Sequence, residues 1–150
     1  MHRYQNIGLF LKNTSDKKFI IEQIVKNELL KEHLNLAGLK GELHSAITIN
    51  KLIEEELRHD HFVVKSDKNQ GLFSMSSGER KKALLKYLVS QKPDFMILDD
   101  IYGNIDKETQ KAVKKELIEL AEHILFIQIF FRKGDALPFL DKVFSIKQNR

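Results

Sequence analysis

Hydrophobic and polar positions in the first third of the chain predict short β segments. Residues 4–12 and 19–25 are rich in Ile, Val and Phe, and the polar residues 12–18 between them suit a hairpin turn. Residues 33–37 predict a third short strand, which leads into a glycine-containing loop over residues 38–44. The pattern therefore predicts an antiparallel β portion at the N-terminal end.

A helix is expected to follow this portion. Ser45 has the side chain of an N-cap, and aliphatic residues recur every four positions from Ile49 onward. The helix should end near residues 59–60, and residues 61–64 predict another short strand.

The second half of the chain alternates between helical and strand patterns. The expected order is a helix over 78–90, a strand over 94–99, a helix capped by Asp106, and strands over 124–130 and 142–146. This order predicts an α/β fold with a mostly parallel sheet and flanking helices. Ligands of such sheets bind beyond the carboxyl ends of the strands, where Asp99 and Asp100 stand.

Composition narrows the class of protein. Hydrophobic residues make up 42% and charged residues 31% of the 150 positions, as in a soluble globular protein, and the length predicts one domain over residues 1–150. The chain has no cysteine, which excludes disulfides and thiolate chemistry and favours a cytoplasmic location. The net charge of +4 is spread along the chain, so nucleic acid is not the expected partner.

Two motifs that could bind a nucleotide lie close together in the second half of the chain. The first is a polar loop that opens a helix and contains Ser76, Ser77 and Gly78; free backbone N–H groups and the helix dipole make such a loop a phosphate site. The second is the hydrophobic strand that ends at Asp99 and Asp100, where an acid can hold Mg²⁺ beside nucleotide phosphates.

By the order and spacing of these two motifs, the sequence resembles the nucleotide-binding domains of ABC-type ATPases. The letters SSGE at 76–79 stand where that family has its signature loop, and FMILDD at 95–100 stand where it has the Walker B strand. Asp99 follows Ser76 by 23 residues, the spacing typical of the family, and residues 100–106 resemble its D-loop. The resemblance implies that Asp99 binds Mg²⁺ and that Asp100 replaces the catalytic glutamate.

The same template predicts a decayed phosphate-binding P-loop over residues 38–45. The frame G-x-x-x-x-G-K-[ST] has its first glycine at Gly38 and its final hydroxyl at Ser45, but Leu43 replaces the second glycine and His44 replaces the lysine. An ordinary strand–turn–helix connection is the alternative interpretation of these residues.

Two further parts of the family pattern are missing. Phe131 stands at the position of the switch histidine, within two residues. Ser76 follows Ser45 by only 31 residues, so the helical subdomain that most members carry there is largely absent.

The resemblance implies an ATP-binding cassette with Mg²⁺ as its metal and degenerate catalytic positions. The leading interpretation is that it pairs with an active cassette, on another chain or in a longer parent protein, and completes the partner's site. A membrane transporter subunit is a further expected partner. The residues that would do so are Ser76, Ser77, Gly78, Glu79 and Asp106. One alternative is a weakly active homodimeric ATPase. Another is a fragment of a DNA-repair type of ABC ATPase, whose signature also has glutamate at the position of Glu79, although this chain lacks the long coiled coils of that class.

Overall fold

The computed structural model describes residues 5–12 and 16–146, and these residues form five strands and four helices. The strands are β1 (Ile7–Leu11), β2 (Gly41–His44), β3 (Phe95–Asp99), β4 (Leu125–Phe130) and β5 (Lys142–Ile146). The helices are α1 (Lys17–Val25), α2 (Ala46–His59), α3 (Ser77–Ser90) and α4 (Lys107–Leu120), with 3₁₀ turns at Leu72–Ser74 and Lys133–Asp135.

The strands form one sheet in the order β2-β3-β4-β1-β5, and every strand pair is parallel. Ile7 of β1 lies opposite Ile127 on one side and Lys142 on the other, so β1 is an inner strand. All five carboxyl ends meet at one edge of the sheet. From β1 the chain continues to β2 on one side of the sheet, and from β4 it continues to β5 on the other side, so the adjacent strands β4 and β1 form a topological switch point. The crevice at such a point is where α/β sheets bind ligands.

Helices cover both faces of the sheet. Side chains of β1 pack with Ile20, Ile21 and Ile24 of α1 on one face. Helices α2, α3 and α4 cover the other face, where Leu84 and Val113 pack against the even-numbered positions of β3 and β4. Because successive side chains of a strand point to opposite faces, Asp99 at the end of β3 lies on the α1 side.

Side-chain caps begin the four long helices. In each case the residue before the helix accepts a hydrogen bond from a backbone N–H three residues on. The capping residues are Asp16, Ser45, Ser76 and Asp106. Ser76 forms a full capping box, because Glu79 also accepts from the Ser76 amide.

The parallel α/β fold with flanking helices is confirmed, and so are the elements expected from residue 45 onward, apart from the strand at 61–64. The first third differs, because residues 19–25 belong to α1 and form no hairpin strand. Asp16 caps this segment, and Ile20, Ile21 and Ile24 share one helix face that the sheet buries. The described residues therefore contain no antiparallel β portion.

The strands expected at 33–37 and 61–64 are also absent from the structure. In the first segment the Asn27 side chain bonds the Leu36 amide and the Asn35 side chain, which holds the chain in a turn while Leu34 and Leu36 enter the core. In the second segment Val64 packs with Leu72 in a small cluster between α2 and α3, away from the sheet.

Candidate functional site

A cavity of about 230 Å³ lies where the carboxyl end of β3 meets the N-terminal ends of α1 and α3. Lys17, Asp99 and Asp100 form one part of its lining, and Ser77 and Lys81 form another. The structure thus brings the two motifs recognised in the sequence to a single cavity and adds a lysine from α1.

Lys17 and Asp99 form the charged centre of the cavity. Asp16 caps α1, which makes Lys17 the first helical residue and places its Nζ 3.3 Å from Oδ2 of Asp99. The Asp99 side chain is 1% exposed, and its Oδ1 has no hydrogen-bond partner among the described residues. Burial raises the pKa of this carboxyl, while the Lys17 ammonium pulls it back down.

The unpartnered oxygen of Asp99 fits a role as a Mg²⁺ ligand. The described residues hold no group of three or more His, Cys, Asp or Glu side chains that could bind a metal ion by themselves. Mg²⁺ characteristically takes one or two protein carboxylates and fills its other positions with water and phosphate oxygens. Asp99 therefore suits a metal that arrives with a phosphate ligand.

Asp100 adopts a left-handed backbone conformation with φ of 53°. Its amide donates to the Ile129 carbonyl at 3.0 Å, and its Oδ1 lies 3.4 Å from a guanidinium nitrogen of Arg132. The carboxylate also lies over Gly103, where an added Cβ would come within 2.3 Å of Oδ2. The side chain of this candidate catalytic residue is thus drawn toward its own loop and toward Arg132.

Lys81 was not recognised from the sequence, yet it ties α3 to the loop after β3. Its Nζ donates to the carbonyls of Asp100, Ile101 and Gly103, at 2.8, 3.2 and 2.6 Å. Burial lowers the pKa of this lysine, and the nearby aspartates oppose the shift. The signal was its position, since Lys81 begins the stripe on α3 that continues through the buried Leu84, Leu85 and Leu88.

The signature-like loop is largely engaged within the chain. Ser76 and Glu79 satisfy each other in the capping box, and the Ser77 hydroxyl donates to the Asn104 carbonyl at 2.7 Å. A Cβ on Gly78 would lie 3.2 Å from Thr109 of α4. Within the described part of the chain, the amides of Ser77 and Gly78 remain without acceptors, as expected for the first turn of a helix.

Asp106 lies at the exposed start of α4. Its Oδ1 accepts from the Thr109 amide at 2.7 Å, and this bond lowers the pKa of the carboxyl. The Asp106 carboxylate therefore caps its own helix in this structure.

The P-loop expected over residues 38–45 is not a loop in the structure. Gly38 has a φ of 79°, which is a turn conformation, and Gly41–His44 form the edge strand β2. His44 is 1% exposed, with Nε2 2.9 Å from the Lys81 carbonyl, and burial lowers its pKa to about 4. Ser45 caps α2. These residues cannot wrap a phosphate, because their backbone pairs with β3 and the histidine is buried.

Phe131 does lie beside the charged centre, with the Lys17 Nζ 5.6 Å from its ring centroid. The next residue, Arg132, bonds Asp135 at 2.9 Å as well as reaching Asp100. Sequence reasoning missed Lys17 because it placed a hairpin there. An aspartate followed by lysines at the end of a hydrophobic strand was the available signal for a helix start.

A parallel sheet in this order, with helices on both faces, is the P-loop NTPase type of fold. More particularly, the chain resembles solved structures of ABC cassettes. A dimeric cassette of a bacterial ABC transporter matches with a TM-score of 0.65 and 12% identity, over 95% of this chain and 81% of that chain. An ABC transporter cassette in its ADP conformation matches with a TM-score of 0.61 and 14% identity, over 95% of this chain and 76% of that chain.

A curated relative matches nearly the whole chain in sequence. The energy-coupling factor transporter ATP-binding protein EcfA of Methanothermobacter thermautotrophicus is 22% identical over 143 residues. The match covers 95% of this chain and 43% of that protein, so the chain spans less than half the length of this relative. No family model matches the sequence. Among the described residues, no helix is both long and apolar enough to cross a bilayer.

Proposed function

We propose that this chain is an ABC-type cassette that binds Mg²⁺ and ATP weakly, with Lys17 and Asp99 at the centre of the site. The observation that carries the proposal is the pair formed by the Lys17 ammonium and the Asp99 carboxylate, whose second oxygen is buried without a partner. A lysine can contact the outer phosphates, and a carboxylate can hold the metal beside them.

The N-terminal end of α1 is the part of the fold that would face the phosphates. A P-loop follows a strand, opens a helix and ends in a lysine, and Lys17 opens α1, the helix that comes after β1 in the chain. In the sequence, residues 12–17 contain no glycine, and Asp16 precedes Lys17. Phosphate binding is expected to be weak, because side chains limit the approach of the backbone and a carboxylate repels the anion.

Hydrolysis by the chain alone should be very slow. Asp100 is one methylene shorter than a glutamate, and its carboxylate lies near Arg132 and Gly103. Phe131, in place of a histidine, offers no polar atom to a reacting water or phosphate.

We further propose that the chain works with a second cassette, on another polypeptide or in a longer protein, at the inner face of a membrane that holds a transporter. The free amides of Ser77 and Gly78 are the groups that would contact a phosphate held by the partner. Dimeric cassettes among the structural relatives support this pairing. A weakly active homodimer is the alternative, and it differs by needing no second protein.

Lys18 provides a matched control for the test, because it is exposed and makes no ion pair with another described residue. Titration of the full chain with ATP and Mg²⁺, followed by NMR, should show at least about tenfold weaker binding in Lys17→Ala than in Lys18→Ala. Asp99→Asn should remove the part of the affinity that depends on Mg²⁺. Equal affinities in the wild type and all three variants would refute the proposed site. A turnover of about 10 s⁻¹ that Asp99→Asn abolishes would establish the homodimeric ATPase instead.

A further inference from the structure

A second cavity of about 200 Å³ lies between α4 and the turn at Lys133–Asp135, and it shares no lining residue with the first. Three lysines of α4, Lys107, Lys111 and Lys114, line it at spacings of four and three residues. That spacing places all three side chains on one face of the helix.

The charges of these lysines have no neutralising partner in the part of the chain that the structure describes. Among the described residues, none of the three has a carboxylate within ion-pair distance or a hydrogen-bonded side-chain partner. Asp135 is the acid in the lining, and its carboxylate is bonded to Arg132 at 2.9 Å. Like charges on one helix face repel each other, so the arrangement favours an anion between them.

Tyr102 supplies an independent observation on the same cavity. It lines the cavity and is only 8% exposed, and its buried hydroxyl has no hydrogen-bond partner among the described residues. Burial, and after it the nearby Asp135 carboxylate, raise the pKa of this phenol to about 12, so the group keeps its proton and remains a hydrogen-bond donor. A buried hydroxyl without a partner is costly, and a bound ligand would remove that cost.

We propose that this cavity binds a small phosphate-bearing anion, with charge from Lys107, Lys111 and Lys114 and a hydrogen bond from the Tyr102 hydroxyl. A volume of about 200 Å³ accommodates inorganic phosphate or pyrophosphate, whose oxygens match the ammonium and hydroxyl donors of the lining. Gly134 leaves the entrance open, because a Cβ added there meets no atom within 4 Å.

The test is an NMR titration of the full chain with pyrophosphate, without Mg²⁺ and at constant ionic strength, and a parallel titration with ADP. Pyrophosphate should shift the amides of residues 102–114 and 133–136. Lys111→Ala should weaken binding at least about fivefold, whereas Lys51→Ala, the same change on the exposed face of α2, should leave it unchanged. If ADP shifts these amides more strongly than pyrophosphate does, the ligand is a nucleotide tail and not a free anion. That result overturns the preference for inorganic phosphate.

The Tyr102→Phe variant distinguishes a loss of pyrophosphate binding from a loss of folding stability. The variant lacks only a hydroxyl that has no partner, so it should unfold at the same or higher urea concentration than the wild type while binding pyrophosphate about fivefold more weakly. Unchanged affinity in this variant would remove Tyr102 from the site. Shifts confined to the Lys17–Asp99 cavity, or equal weakening by Lys51→Ala, would overturn the proposal. Neither outcome depends on whether Lys17 and Asp99 bind ATP.

Discussion

The ammonium of Lys17, at the first residue of α1, lies 3.3 Å from Oδ2 of Asp99, at the last residue of β3. Strands β1 and β3 both lie next to β4, so the ends of these elements meet although they are remote in the sequence. This ion pair gives the buried Asp99 carboxylate a positive partner on one side and leaves its other oxygen for a ligand.

The raised pKa of Asp99 predicts the pH dependence of metal binding. Mg²⁺ needs the carboxylate, so metal-dependent affinity should be lost on acidification at a higher pH than for an ordinary aspartate. The raised pKa also means that the folded state holds this proton more tightly than the unfolded state. The contribution of the group to stability therefore falls as the pH rises through the raised value.

Lys17→Ala should raise the pKa of Asp99 further, because it removes the charge that favours the carboxylate. A ¹³C NMR titration of the aspartate carboxyl groups measures this shift, with Lys18→Ala as the control. A pKa of Asp99 that is the same in both variants would contradict the electrostatic role of Lys17.

The lowered pKa of His44 predicts that the protein loses stability in acid. Its pKa is 6.5 ordinarily and about 4 in the fold, so the unfolded chain takes up the proton first as the pH falls. The contribution of His44 to the free energy of unfolding is fully present above pH 6.5, and it should decline by about 3 kcal/mol by pH 4. Urea unfolding at pH 7 and pH 4.5 should show a smaller acid loss in His44→Gln, which keeps a donor for the Lys81 carbonyl and does not titrate. An equal loss in both proteins would exclude His44 as the source.

Glu56 should be a strong determinant of stability. Its buried carboxylate accepts from the amides of Leu72 at 2.6 Å and Phe73 at 3.2 Å, and so holds the turn that precedes Ser76. Glu56→Ala leaves these amides without their acceptor and should lower the free energy of unfolding by about 2–4 kcal/mol. Glu54→Ala, on the exposed face of the same helix, should change it by less than about 0.5 kcal/mol. Urea denaturation of both variants provides the comparison, and similar costs would contradict the role assigned to Glu56.

Gly78→Asp tests the proposed pairing. The carboxylate would stand beside the free amides of α3 and repel a phosphate held by a partner, so ATP-dependent association with a second cassette should fall at least about tenfold. The 3.2 Å approach to Thr109 adds a small cost in stability, which unfolding measurements record separately.

Gly134→Asp adds the same side chain at an open glycine and should leave association unchanged. Light scattering with and without ATP gives the comparison. If both variants associate as the wild type does, α3 has no role in pairing.

Local sequence determined much of the second half. The capping box of Ser76 and Glu79 and the cap at Asp106 specify the starts of α3 and α4 through contacts between near neighbours. The hydrophobic run from Phe95 to Asp99 predicts a buried strand by its composition. Such signals survive any rearrangement of the rest of the chain. For the same reason the resemblance to an ABC cassette could be read from residues 72–106 before any strand order was known.

The first third depended on tertiary structure. The run of β-branched residues at 19–25 suits a strand or a helix, and the buried sheet face that receives Ile20, Ile21 and Ile24 selects the helix. His44 has the same local neighbours whether it cradles a phosphate or pairs with β3, and only the sheet order buries it. The contact of Lys17 with Asp99 likewise arises from that order, because no local pattern brings two distant charges to within 3.3 Å.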